Sequence, residues 1–171
     1  MHTIDLRSDT VTVPDSAMRR AMAEAEVGDD VFGEDPTVCR LEELAAGLMD
    51  KEAGLLVTSG TQGNIVAMLT HCGRGEAAIL GRDSHIYCYE GGGLAVLGGI
   101  MPYAVDDSEG VPTPEAVMAE CHPADVHFAP RRLLCLENTH NRRGGLAVPL
   151  DRFQHTAAIG AQSGLRLHLD G

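Results

Sequence analysis

No run of apolar residues in this chain approaches the roughly 20 needed to cross a bilayer, so a membrane span is not expected. Its opening, MHTIDLRSDT, sets Asp5, Arg7 and Asp9 where a secretory signal would need an unbroken apolar stretch. There is no basic stripe: 13 Lys and Arg stand against 25 Asp and Glu, giving a net charge of −12, and nothing could neutralise a phosphate backbone. Nucleic acid is therefore not an expected partner. The 5 cysteines (Cys39, Cys72, Cys88, Cys121 and Cys135) are widely spaced and lack a Cys-x-x-Cys pair. They read as reduced thiols, consistent with the cytoplasm. Neither a P-loop lysine nor a Gly-x-Gly-x-x-Gly fingerprint follows any strand-like segment. Lysine is almost absent, Lys51 being the only one.

What remains has the composition of a globular protein, 44% hydrophobic and 22% charged over 171 residues, enough for one domain or part of one. No repeat, low-complexity tract or linker divides it. Asp15 to Glu26 spaces Met18, Ala21, Met22 and Ala25 as a helix does. From Asp35 the signal is stronger: an N-cap carboxylate, Pro36 in the first turn, then Val38, Leu41, Leu44, Ala45 and Leu48 on one face, ending near Asp50. Gly54 to Val57 reads as a short strand that enters a helix (Ile65, Met68, Leu69, Cys72) through Thr58-Ser59-Gly60-Thr61. Ala77 to Leu80, Leu133 to Leu136 and Leu165 to Leu169 read as buried strands, and Pro114 and Pro149 mark the starts of later helices. The five glycines of Gly91 to Gly99 suggest a turn and a weak helix. Strands separated by helices predict a three-layer α/β fold, a mainly parallel sheet with helices on its faces.

Three segments carry candidate chemistry. Ser59-Gly60-Thr61 opens a helix with unpaired backbone N–H groups, an arrangement that binds phosphate, although similar clusters cap helices that bind nothing. His168 and Asp170 share a face of the last strand, and Asp170 stands at its carboxyl end, where ligands bind in open α/β sheets and where an acid can equally be a helix cap. Asp83-Ser84-His85 and Glu90 follow the Ala77 strand on the same expected edge; His85 could stack on an aromatic ring or be a solvated loop residue. His127 and Glu137 to Asn141 flank the Leu133 strand and supply further polar groups, as a plain loop also would.

Seven segments in order, DLRSDTVT (Asp5 to Thr12), VGDDVFGEDPTV (Val27 to Val38), SGTQGN (Ser59 to Asn64), His85 with Tyr87 and Glu90, HFA (His127 to Ala129), ENTHN (Glu137 to Asn141) and HLDG (His168 to Gly171), resemble the low-specificity threonine aldolases of the fold-type I pyridoxal-phosphate enzymes. The resemblance implies residues 1–171 are the amino-terminal part of the large, cofactor-binding domain. It implies pyridoxal 5'-phosphate as cofactor and no metal. Gly60 and Thr61 would hold its phosphate, His85 would stack on its ring, and Asp170 would pair with its ring nitrogen. Ser8 and His127 would face the substrate, with His127, directly or through a water, assisting proton transfer from the hydroxyl. The implied reaction is retro-aldol cleavage of threonine or a related β-hydroxy-α-amino acid to glycine and an aldehyde, in a homo-oligomer.

The chain departs from that pattern in three places. Phe32 stands where many relatives have tyrosine, and Gly63 where alanine is commoner. In the family the lysine that attaches the cofactor follows HLDG, whereas Lys51 lies among charges at a helix end; this chain by itself is therefore expected to be catalytically incompetent. Other readings are a pyridoxal-phosphate lyase acting by β-elimination, a non-catalytic fragment or interaction module, and a metal hydrolase built on His127, His140, His168 and Asp170, which lacks a recognised ligand spacing.

Overall fold

A computed structural model of the chain describes residues 4, 5 and 8–171. Leu6 and Arg7 of the DLRSDTVT segment, and the first three residues of the opening read for a secretory signal, lie outside the described residues. The chain divides into two compact units, Met1–Leu56 and Val57–Gly171. No described helix is long and apolar enough to cross a membrane.

In the first unit Asp15 caps α1 (Ser16–Glu24) by accepting the N–H groups of Ala17 and Met18, both at 2.8 Å. Helix α2 (Pro36–Leu48) begins as its sequence predicts, with Pro36 in the first turn and Asp35 accepting from Thr37 and Val38. The second oxygen of Asp35 accepts the N–H of Gly28. These bonds, that from Val38 foremost, hold its carboxyl below the usual aspartate range against a smaller opposing effect of burial. Leu41, Leu44 and Leu48 of the predicted apolar face are exposed, and Ala46 alone of α2 is buried. Lys51 follows the helix, exposed, its N–H bonded to the Ala46 carbonyl.

The expected strand at Gly54 to Val57 does not form. Leu55 and Leu56 are exposed, and the Leu56 N–H, which a neighbouring strand would need, donates to Glu42 Oε1 at 2.7 Å. An apolar run of strand length becomes a strand only beside another chain edge, and no described strand pairs with it.

The second unit is a fully parallel four-stranded sheet in the order β2-β1-β3-β4, with β1 at Ala77–Gly81, β2 at Met101–Val105, β3 at Arg131–Glu137 and β4 at Arg166–Asp170. Alternation along the strands gives each face its own core. Ala78, Leu80, Leu133 and Cys135 pack with Met68 of α3 (Gly60–His71), Ile86 of α4 (His85–Cys88) and Leu94 of α5 (Gly93–Val96). Ile79, Leu134 and Leu136 pack on the other face with Val117 of α6 (Pro114–Glu120) and with Phe153, Ala157 and Ile159 of α7 (Leu150–Gln162). The three layers match the expected class. Strand β2 is an addition the sequence pattern did not suggest, and Pro149 precedes α7 as its cap residue instead of opening its first turn.

This topology locates a crevice. After β1 the chain runs through α4 and α5 on one face to β2; after β3 it runs through α7 on the other face to β4. The two exits diverge at the carboxyl ends of β1 and β3, the kind of switch point at which open α/β sheets bind ligands.

Candidate active site

Helix α3 begins at that edge. Ser59 Oγ accepts the Gln62 N–H at 3.1 Å and the Ser59 carbonyl accepts from Gly63, so the N–H groups of Gly60 and Thr61 precede the first bonds of the helix and remain for a ligand. A Cβ built on Gly60 meets nothing within 4 Å, which leaves open space beside these donors. One turn further, Asn64 is buried and joins two of the predicted segments: its Nδ2 donates to Glu90 Oε1 at 2.7 Å, and its Oδ1 lies 2.8 Å from His168 Nε2.

Because the Asn64 Nδ2 donates to the Glu90 oxygen, the Asn64 amide turns its own oxygen, an acceptor, to His168 Nε2. Burial pushes the His168 pKa down from the ordinary histidine value, with nearby Asp170 opposing and His71 adding to the effect. Burial thus favours the neutral form of His168 beneath the edge.

Glu90 Oε1 also meets His85 Nδ1 at 3.1 Å, which orients the imidazole and leaves its Nε2 edge free. The Glu90 side chain is only 1% exposed, yet its Oε2 has no hydrogen-bond partner. Asp170, half-buried at the end of β4, completes the group: one ligand atom from each of His85, Glu90 and Asp170 lies within 4.8 Å of the others. Two carboxylates and an imidazole this close favour a positively charged guest, either a cation or a protonated ring nitrogen. A planar aromatic ring also suits the face of His85. Gly60, Thr61, His85 and Asp170 are therefore present in one unit on the carboxyl side of one sheet, and could hold an aromatic phosphate ester by its two ends.

The remaining predicted residues are not part of this group. His127 precedes β3, at the opposite, amino edge of the sheet; its side chain is 82% exposed and its Nδ1 is bonded to Asp125 Oδ1 at 2.7 Å. Ser8 belongs to the first unit, where its Oγ accepts from the Thr10 N–H and hydroxyl. Cys72 and Cys135 are buried core thiols, and burial pushes both up, away from the thiolate a nucleophile would need. A hollow of about 250 Å³ lined by Cys121, His122, Phe128 and Arg131 also lies toward the amino edge, away from His85 and Asp170.

Sequence reasoning assigned no role to Asn64 or Asp107, and left Glu137 to Asn141 open between a source of polar groups and a plain loop. Asp107 is 2% exposed just beyond β2, and Glu137 and His140 are buried. Asp107 was illegible because β2 was; had that strand been recognised, an acid two residues beyond its end would have stood on the ligand edge.

Comparison with known proteins converges on one family. The profile described as "Beta-eliminating lyase" matches residues 5–171. A low specificity L-threonine aldolase of Escherichia coli K12 is 47% identical over 169 residues, covering 98% of this chain and 50% of that protein. A probable low-specificity L-threonine aldolase 2 of Arabidopsis thaliana is 46% identical over 175 residues, covering 100% of this chain and 49% of that protein. The chain thus spans about half the length of these relatives. Among solved structures, a threonine aldolase of Leishmania major superposes with a TM-score of 0.72 at 22% identity, over 90% of this chain and 44% of that one, which establishes the shared fold.

Proposed function

The chain belongs to the beta-eliminating lyase family, and from that premise we propose that it is the amino-terminal part of the cofactor-binding domain of a pyridoxal-phosphate-dependent threonine aldolase. The assembled enzyme would cleave threonine or a related β-hydroxy-α-amino acid to glycine and an aldehyde. The observation that carries the reading is the meeting of His85, Glu90 and Asp170, with a buried, unpartnered Glu90 oxygen, on the carboxyl side of a sheet where the Gly60 and Thr61 N–H groups at the start of α3 remain for a ligand. The residues present fit the group. Bound there, pyridoxal phosphate supplies an electron sink for the bond that breaks.

Asp170 holds the proton on the ring nitrogen, because a carboxylate stabilises the charged form of a nitrogen base beside it. His85 would lie against the ring, with its own imidazole oriented by Glu90. Gly60 and Thr61 donate N–H groups to the phosphate at the positive end of α3. Ser8 and His127 face the substrate, His127 taking or relaying the hydroxyl proton. Since His127 lies on the amino edge of its own sheet, that role belongs to a site completed by a second copy, in a homo-oligomer of the cytoplasm. Lys51 is exposed with acidic neighbours and does not serve as the lysine that attaches the cofactor.

The test is Asp170→Asn in the assembled enzyme. It should retain much of the cofactor affinity and lose about 10²-fold or more in threonine cleavage, the scale of removing one preorganised electrostatic partner. Near-normal turnover would remove Asp170 from this role. A β-elimination on the same residues, the reading nearest to this one, would release ammonia and a keto acid in place of glycine and an aldehyde.

A further inference from the structure

Helix α4, which carries His85, has a single turn and no side-chain cap of its own. Ser84 stands at its cap position, but the Ser84 hydroxyl donates backward to the Gly81 carbonyl at 2.8 Å and caps nothing. The N–H groups at the start of this turn are instead taken by carboxylates from other strands. Glu137 Oε2, at the end of β3, accepts the His85 N–H at 2.6 Å. Asp107, just beyond β2, accepts the Asp83 N–H at 3.0 and 3.2 Å.

Both carboxylates are themselves fixed. Glu137 Oε1 accepts the Asn141 N–H at 2.8 Å, and Asp107 Oδ2 lies 3.0 Å from His140 Nε2, whose other nitrogen faces Glu137 Oε1 at 3.9 Å without a bonded partner. The side chains of His140, Asp107 and Glu137 are 1%, 3% and 6% exposed. Gly81 permits the arrangement, for a Cβ there would meet Asp107 Oδ2 at 2.0 Å. From outside, Arg142 and Arg143 pair with the Asp83 carboxylate, so the segment after β3 also holds the residues that lead into the His85 turn.

Burying two carboxylates and an imidazole is costly unless their bonds accomplish something that simpler residues would not. Here they hold backbone N–H groups that the turn cannot satisfy locally. We propose that Glu137, held by the Asn141 N–H beside the buried His140–Asp107 pair, is the positioning residue that aims His85 at the ligand crevice, acting through the His85 backbone while Glu90 orients its ring. The ligand half of this inference rests on the cofactor reading above; the backbone half does not.

The test uses the full chain with Glu137→Gln, which keeps shape but can accept only one of the two N–H groups, and Glu137→Asp, which keeps charge but falls short by one methylene. Amide exchange read by NMR should speed up at His85 by about 10- to 100-fold in Glu137→Gln, the loss of one hydrogen bond to a charged group, while Leu133 to Leu136 stay protected. Pyridoxal phosphate titrations of the wild type, Glu137→Gln, His85→Ala and the double variant should show Glu137→Gln weakening binding in the wild-type background and adding almost nothing once His85 is gone. If Glu137→Gln does not fold, the same exchange and titration measurements are made on Glu137→Asp. Unchanged His85 exchange would overturn the proposal, as would equal loss of affinity with and without His85. Should the wild type bind no pyridoxal phosphate, the cofactor reading fails, and exchange at His85 alone decides the positioning claim.

Discussion

The two edges of the sheet in Val57–Gly171 are built on opposite terms. On the carboxyl edge, buried polar side chains are tied to partners 24 to 104 residues away: Asp107 to Asp83, Asn64 to Glu90 and His168, Glu137 to His85. Glu90 Oε2 and His140 Nδ1 are still left unsatisfied. On the amino edge, Arg131 is closed in by Glu120 and by the rings of Tyr103 and Phe128, while Arg132 with Glu76 and His127 with Asp125 form surface pairs. The amino edge mostly uses charge to finish a surface, although it too buries one cation, Arg131, whose Nε has no partner. The carboxyl edge spends stability on desolvating charge and retains unused acceptor capacity, the condition of a site prepared for a guest.

The largest effect that should follow from this difference is at Gly81. Gly81→Ala drives a Cβ into Asp107 and unseats the acceptor of the Asp83 N–H, with a cost of roughly 2–4 kcal/mol from overpacking and a lost buried bond. Arg132→Gln on the amino edge breaks only an exposed pair and should cost under about 1 kcal/mol. Urea titrations of the two variants measure the contrast; equal costs would erase it.

Acid should also act first on the carboxyl edge. His168 is held neutral by burial, so its folded pKa lies below the unfolded value of 6.5. The unfolded chain then binds more protons between those two values, and the associated stability is complete above 6.5 and lost as pH falls from there through the folded value. His168→Gln should flatten this part of the stability curve. A slope that survives the substitution would assign it to another group.

Much of this was legible in the sequence, for physical reasons that also explain the misses. Asp35-Pro36 announced α2 because capping is local chemistry, and β1 and β3 stood out because strands covered on both faces read as continuous apolar runs. His85, Glu90 and Asp170 could be assigned to one edge from their positions after or at the ends of such strands. Strand β2 escaped: Met101 to Ala104 are exposed or half-buried and Pro102 lies within it, as suits an edge strand. Gly54 to Val57 misled for the converse reason, apolar composition without a pairing partner. The roles of Glu137, Asp107 and His140 were invisible because polar residues after a strand look alike whether solvated or buried, and only tertiary contacts across 24 or more residues separate the two cases.

The central claim, that the carboxyl edge between β1, β3 and β4 is the ligand site, is tested most directly by titrating the isotope-labelled chain with pyridoxal phosphate and following its backbone amides and histidine rings by NMR. The account predicts shifts concentrated at Gly60 and Thr61, at His85 and Glu90, and at Asp170, with His168 following through Asn64 and Arg132 unmoved. Shifts centred on the amino edge around Arg131 and His122, or a saturating titration that leaves His85 and Asp170 untouched, would contradict it.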